Sequence, residues 1–162
     1  MGFEKCVSVV VVSDRVYSGE SVDESGVAAV RYLAEHGIST RGPVVVRNIP
    51  RDIVRAYRES ECRTLIFLGG TGVSPRDITI DTLKSISWRE VPGFGEYFRE
   101  RSIEDTGPRA LLSRASLFIA PDGKVLFALP GSPRAVKLGV DILLSIIDHL
   151  IEEVDRFEGA HK

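Results

Sequence analysis

Glutamine is missing from the 162 residues, and asparagine (Asn48) and methionine (Met1) occur once each, while arginine outnumbers lysine among the 21 basic residues. Depletion of thermally labile residues beside abundant ion-pairing charge is a thermophile tendency, so a thermophilic source is expected. Cysteine and histidine are scarce: Cys6 and Cys62, then His36, His149 and His161. No CxxC motif or histidine pair has ligand spacing, which argues against a zinc site. The two cysteines could close one disulfide, but in a cytosolic chain they read first as two small hydrophobic residues. No G-x-S-x-G occurs, and His149 falls in an apolar helical stretch where a core or interface role is expected, so a Ser-His-Asp hydrolase is a poor fit. No apolar run reaches 18 residues, and the stretch 6–12 is too short for the core of a signal peptide and is followed by Ser13-Asp14-Arg15. No membrane association and a cytoplasmic location are the expectations. A net charge of −2 without a polybasic run excludes a nucleic-acid partner held by a basic surface.

What is present in quantity is Asp, Ser, Thr, Arg and glycine turns, the materials for binding phosphates and a hard metal ion. The length suits one domain over residues 1–162, and 43% hydrophobic with 27% charged residues is the balance of a soluble globular protein.

The chain is organised around Leu65-Ile66-Phe67-Leu68-Gly69-Gly70-Thr71-Gly72-Val73-Ser74-Pro75-Arg76-Asp77, an apolar strand run that breaks into three glycines within four residues. Glycine there permits positive φ and close approach of another molecule to the main chain. Ser74-Pro75 reads as N-cap and first helical residue with Asp77 near the third helical position, a helix start able to hold an anion. A plain capped turn after a buried strand, common in α/β folds, is the alternative.

Taken in order, residues 6–12 form a β-branched run typical of a strand buried on both faces. Ser13, Asp14, Ser18 and Ser25 follow at its carboxyl end, either as caps or as ligand contacts, before a helix that ends at His36-Gly37. Residues 43–49 read as a second strand, and Pro50 opens a mostly polar surface helix carrying Arg51 and Asp52 in its first turn. Residues 64–68 are the third strand. Thr79 can cap a short helix over 80–85, and a charged helix follows Pro92-Gly93-Phe94. Residues 109–114 are a short helical piece or loop, and 116–120 and 125–129 are strands around the turn Pro121-Asp122-Gly123-Lys124. Leu129-Pro130-Gly131-Ser132-Pro133 then repeats the strand, glycine and Ser-Pro design. The last helix, 134 to about 156, is apolar on most sides, which points to a central position or to homo-oligomer contacts. The tail 157–162 is expected to fray. This rhythm gives βαβ units: a three-layer, mostly parallel sheet with helices on both faces, whose ligands bind outside the carboxyl ends of the strands.

Together, Gly69-Gly70-Thr71-Gly72, Pro75-Arg76-Asp77-x-Thr79, Pro92-Gly93-Phe94, Leu112-Ser113-Arg114, Pro130-Gly131-Ser132-Pro133 and the opening Ser13-Asp14-Arg15, Ser18-Gly19 and Asp23-x-Ser25-Gly26 resemble the MogA/MoaB family of molybdenum cofactor biosynthesis proteins. The resemblance spans about residues 6–153. It implies a MogA-like α/β fold and molybdopterin adenylyltransferase activity, in which the terminal phosphate of molybdopterin attacks the α-phosphorus of Mg-ATP and pyrophosphate leaves. Such chemistry needs positioning and charge neutralisation more than a protein nucleophile. The resemblance assigns Asp77 to Mg²⁺ or to orienting the attacking phosphate, and Asp52 as a second catalytic acid. It assigns Gly69, Gly70, Thr71, Gly72 and Ser74 to phosphate. Ser13, Asp14, Ser18 and Gly19 would face the ligand, and Ser113, Pro130, Gly131, Ser132 and Pro133 would close the site. Expected partners are molybdopterin, ATP, further copies of the chain as a trimer or dimer of trimers, and the downstream metal-insertion protein. Two positions depart from the family pattern: Arg51 stands where a carboxylate often follows Ile/Val-Pro, with Asp52 one residue later, and Glu24 stands where a basic residue is common. Asp77 favours an enzyme. Arg51 favours a non-catalytic molybdopterin-binding or scaffold protein.

Overall fold

The computed structural model describes residues 4–156. A six-stranded sheet runs in the order β2-β1-β3-β6-β5-β4, with β1 Glu4–Val12, β2 Thr40–Val46, β3 Cys62–Leu68, β4 Arg89–Glu90, β5 Ser116–Ile119 and β6 Val125–Leu129. The pairs β2/β1, β1/β3 and β3/β6 are parallel, whereas β6/β5 and β5/β4 are antiparallel, as the turn at 121–124 requires. The helices are α1 Asp14–Tyr17, α2 Glu24–Glu35, α3 Pro50–Glu59, α4 Thr79–Ile86, α5 Pro92–Thr106 and α6 Pro133–Val154, with a 3-10 turn at Gly107–Leu112.

Strand residues alternate between two apolar layers, because successive side chains leave opposite faces of a sheet. Val9, Val11, Ile66, Leu68, Phe127 and Leu129 meet Leu33 of α2, Phe98 of α5 and Val140 and Leu143 of α6. Val10, Val12, Leu65, Phe67, Leu126 and Ala128 meet Ile53 of α3 and Ile80 and Leu83 of α4. Helices therefore cover both faces, giving the expected three layers. In α6 the buried positions are Val136, Gly139, Val140, Ile142 and Leu143, and its apolar flank Ile146, Ile147, Leu150 and Ile151 packs partly buried against the same layer.

Several sequence expectations are corrected. Cys6 and Cys62 are joined by a disulfide, their Cα atoms 5.2 Å apart across the neighbouring strands β1 and β3. At a sequence separation of 56, only the β1/β3 pairing brings them together. β2 is an edge strand occupying 40–46 rather than 43–49, so Arg47, Asn48 and Ile49 leave the sheet. Pro43, which has no N–H to give, is tolerated at that edge. His149 lies on the outer side of α6, its side chain 76% exposed beside Glu152 and Glu153, and is not a core residue. The tail 157–162 lies outside the described residues. Among those residues no helix is long and apolar enough to cross a membrane.

The topology fixes where a ligand can sit. β1 passes through α2 to β2 on one side, and β2 returns through α3 to β3 on the other side of β1. The crevice between the carboxyl ends of β1 and β3 is therefore the point where the strand order reverses, the usual ligand position in open α/β sheets.

Candidate functional site

β3 delivers its glycine turn to that crevice. Gly69 and Gly70 adopt φ of +100° and +68°, which side-chain-bearing residues rarely adopt. A Cβ on Gly69 would lie 2.6 Å from Val12 O, and one on Gly70 would overlap the Thr79 hydroxyl. Thr79 is fully buried and straps the turn: Oγ1 donates to Gly69 O at 2.7 Å, and its backbone N–H donates to Gly70 O at 3.1 Å. This corrects the expected helix start at Ser74. Residues 74–77 form a turn closed by Asp77 N–H on Ser74 O at 3.0 Å, and α4 begins only at Thr79, with Ile78 at its N-cap. An anion at this loop would be met by amides of the glycine turn and not by a helix terminus at Ser74. Asp77 Oδ2 accepts from Ser74 N at 2.9 Å, which leaves Oδ1 without a hydrogen bond among the described residues.

The second glycine turn behaves as expected. Ser132 caps α6 by accepting from Ala135 N at 3.3 Å, with Pro133 as first helical residue. A Cβ on Gly131 would lie 3.5 Å from Gly69 Cα, so the turns after β3 and β6 touch each other.

The loops after β1, β2 and β3 are joined by three side chains. Asp14 Oδ1 accepts from Asn48 N at 2.9 Å, Asp14 Oδ2 lies 3.4 Å from Arg76 Nη2, and Asn48 Nδ2 donates to Arg76 O. Arg76 is 80% exposed, so its ion pair contributes little, and Asn48 is the effective link. Ser13 caps α1 through Val16 N at 3.2 Å, and Ser18 donates to Arg15 O at 3.2 Å, so both hydroxyls have local partners. Gly19 turns the chain after α1 with φ of +84°.

A polar cavity of about 290 Å³ opens at the crevice, lined by Val12, Ser13, Asp23, Ser25, Gly69 and Gly131. Asp23 Oδ1 caps α2 through Gly26 N at 2.8 Å, while its Oδ2 is buried without a partner, as is Asn48 Oδ1. Buried acceptors are ordinarily satisfied, so these two oxygens mark places for a donor from a ligand or water. Ser113, Pro130 and Ser132 line a different cavity, of about 270 Å³, among α5, the 3-10 turn and α6, walled by Phe98 and Leu138. Of the site residues named from sequence, Ser13, Gly69 and Gly131 line the first cavity and Ser113, Pro130 and Ser132 the second, whereas Ser18, Gly19, Gly70, Thr71, Gly72, Ser74 and Pro133 line neither. Asp14, Asp52 and Asp77 line neither and belong to the edge where the three loops meet.

Asp52 lies at the third position of α3, 8% exposed, whereas Arg51 faces solvent. Its carboxylate accepts from Arg47 Nε at 2.8 Å and Nη2 at 3.2 Å. These bonds hold the Asp52 carboxyl below the usual carboxylate range and raise the Arg47 guanidinium further, and the Arg47 head also lies 5.7 Å from the Tyr17 ring centroid. Among the described residues no three His, Cys, Asp or Glu side chains converge to hold a metal. One open carboxylate oxygen, on Asp77, fits a Mg²⁺ ion shared with substrate phosphates, since Mg²⁺ commonly takes one or two carboxylates and completes its shell with phosphate and water. Asp23, Asn48 and Arg114 receive no site role from the sequence. Asp23 and Arg114 stand in the recognised motifs, but Asn48 carries no local signal.

Residues 8–149 match the family described as a probable molybdopterin binding domain. Molybdenum cofactor biosynthesis protein B of Staphylococcus aureus strain MRSA252 is 43% identical over 105 residues, which is 64% of this chain, and the chain spans only 62% of that relative's length. A molybdopterin adenylyltransferase of Pyrococcus furiosus is 33% identical over 149 residues, covering 89% of this chain and 88% of the relative. Among solved structures, the tungsten cofactor synthesizing protein MoaB from Pyrococcus furiosus superposes with a TM-score of 0.86 at 30% identity, over 96% of this chain and all of that one. A structure of MogA gives 0.81 at 30% identity over 92% of this chain and 99% of the other. The chain belongs to the MogA/MoaB family of molybdenum cofactor biosynthesis proteins.

Proposed function

We propose that this chain is a molybdopterin adenylyltransferase that transfers AMP from ATP to the terminal phosphate of molybdopterin. The observation that carries the reading is the strapped loop of residues 69–81, which brings the glycine turn to the crevice where the strand order reverses and holds the open Oδ1 of Asp77 at the adjoining edge where the loops after β1, β2 and β3 meet. A phosphate oxygen of molybdopterin attacks the α-phosphorus of ATP, one P–O bond forms, the α–β bridging bond breaks, and pyrophosphate leaves with its electron pair. The Gly69 N–H is taken by Leu129 O at 2.9 Å, so the amides of Gly70, Thr71 and Gly72 are the ones that receive phosphate oxygens, already oriented before the ligand arrives. Mg²⁺ bound at Asp77 would supply charge neutralisation on the phosphates. Asp52, paired to Arg47, ties the first turn of α3 to the segment that follows β2. Similarity to the Pyrococcus furiosus adenylyltransferase over nearly the whole chain supports the same reading.

One observation favours a second reading, a molybdopterin carrier or scaffold without turnover. Asp52 is neutralised by Arg47, so the site keeps one open acid where two are expected. The proposal further includes a cytoplasmic location, a homo-oligomer (trimer or dimer of trimers) and a metal-insertion protein that takes the product. Purified protein incubated with molybdopterin and Mg-ATP at elevated temperature, followed by mass spectrometry and a parallel pyrophosphate count, separates the two readings. Adenylyl-molybdopterin and pyrophosphate in equal amounts support the transferase; tight binding without either product supports the carrier.

A further inference from the structure

An arginine beside a phosphate-binding loop would ordinarily be taken as an anion contact. Arg114 is engaged otherwise. Its backbone N–H donates to Thr71 O at 2.7 Å. Its Nε donates to Gly72 O at 2.7 Å and its Nη2 to Asp77 O at 2.7 Å. Nη1 and Nη2 also grip the Asp81 carboxylate in bidentate fashion at 2.9 and 3.0 Å. Four of the five N–H donors of the guanidinium are committed to this loop and the first turn of α4. The acceptors lie on both limbs of the turn at 72–77, so one rigid planar group fixes the spacing between them. Asp81 is 63% exposed, so the ion pair itself contributes little, and the charge-assisted bonds to the carbonyls of Gly72 and Asp77 do the holding. A bond from Arg99 Nη1 to Ser113 O at 3.2 Å supports the residue before Arg114 from α5.

We propose that Arg114 is a positioning residue: with Asp81 it clamps the two limbs of the 71–81 loop, so that the Asp77 carboxylate and the glycine amides are set for a phosphate-bearing ligand that Arg114 itself does not touch. Which reaction the loop serves rests on the function proposed above; the clamp does not.

The test compares the parent with Arg114→Ala, Arg114→Lys, Asp81→Asn and the Arg114→Ala/Asp81→Asn double variant. Amide hydrogen exchange is read at residues 70–79 without ligand, together with molybdopterin Kd and, with Mg-ATP, kcat. Loss of charge-assisted bonds of this kind corresponds to roughly 10- to 100-fold faster local opening. Arg114→Ala should therefore speed exchange of the Ser74, Asp77 and Thr79 amides by that factor, leave amides of β3 and β6 unchanged, and lower kcat by a similar factor with molybdopterin Kd changed less than about threefold. Arg114→Lys should recover part of both effects. The double variant should be no worse than Arg114→Ala, because both substitutions open one clamp. The proposal is overturned by unchanged loop exchange in Arg114→Ala, by faster exchange throughout the chain, or by a large rise in molybdopterin Kd with unaltered exchange, which would make Arg114 a direct anion contact. If the parent shows no turnover, the transferase reading fails by itself and the exchange data still decide the clamp.

Discussion

Reduction of the Cys6–Cys62 disulfide is expected to cost stability and leave the site alone. The bond closes a loop of 56 residues between the amino-terminal parts of β1 and β3. In the chain-entropy treatment a closed loop of that length lowers the entropy of the unfolded chain by about 14 cal/mol/K, or about 4 kcal/mol at 25 °C. For a domain of this size that corresponds to a fall in Tm of about 8–16 °C on reduction, or about 2 M in urea midpoint at a slope near 2 kcal/mol/M. The site lies at the other end of the same strands, after Val12 and Leu68, six residues along and about 20 Å away. Turnover well below the melting range should therefore be equal in oxidised and reduced protein. The assay is paired urea unfolding with and without a strong reductant, with Cys6→Ala as a reductant-insensitive control. Coincident curves for oxidised and reduced parent, or two titratable thiols in protein purified without reductant, would refute the reasoning.

Further outcomes follow from the same geometry. Gly70→Ala should lower stability by about 1–3 kcal/mol in thermal unfolding, since a side chain is strained at this positive φ and meets the Thr79 hydroxyl. Phe67→Ala, at a fully buried strand position, should cost about 3–5 kcal/mol in urea unfolding. Asp52, Asp81 and Asp155 are each held below the usual carboxylate range by Arg47, Arg114 and Arg63 respectively. A carboxyl depressed in the folded state stabilises above its unfolded pKa and loses that contribution as pH falls through its folded pKa. Stability should therefore decline below about pH 4, the ordinary carboxylate range, and Asp52→Asn should show a shallower decline than the parent in urea midpoints taken from pH 6 to pH 2.

The layers were legible in the sequence because burial on two faces leaves near-continuous β-branched runs, as in residues 6–12 and 64–68. The Ser132-Pro133 helix start was legible for a local reason: the capping hydroxyl and the N–H that donates to it lie three residues apart. The same local signal misled at Ser74-Pro75. There the Thr79 side chain is drawn to Gly69 O ten residues back, and this longer-range bond delays α4. Cys6 with Cys62, Asn48 with Asp14, and Arg114 with Gly72 and Asp77 are pairings between neighbouring strands or loops, invisible until the sheet order is known. The two-residue strand β4 is too short to leave an alternation pattern. That Gly131 lines one cavity while Pro130 and Ser132 line another depends on which way the 130–132 turn faces, which no spacing encodes.

The most direct measurement is single-turnover adenylyl transfer by Asp77→Asn beside the parent, with molybdopterin binding measured on the same samples. Asn keeps the size of the side chain and removes the charge. The expected result is molybdopterin bound within about threefold of the parent and adenylyl-molybdopterin formed at least about 100-fold more slowly, the scale of losing one preorganised electrostatic contact at a reacting phosphate. Product formed by Asp77→Asn at the parental rate would contradict the assignment of the chemistry to the glycine-turn loop.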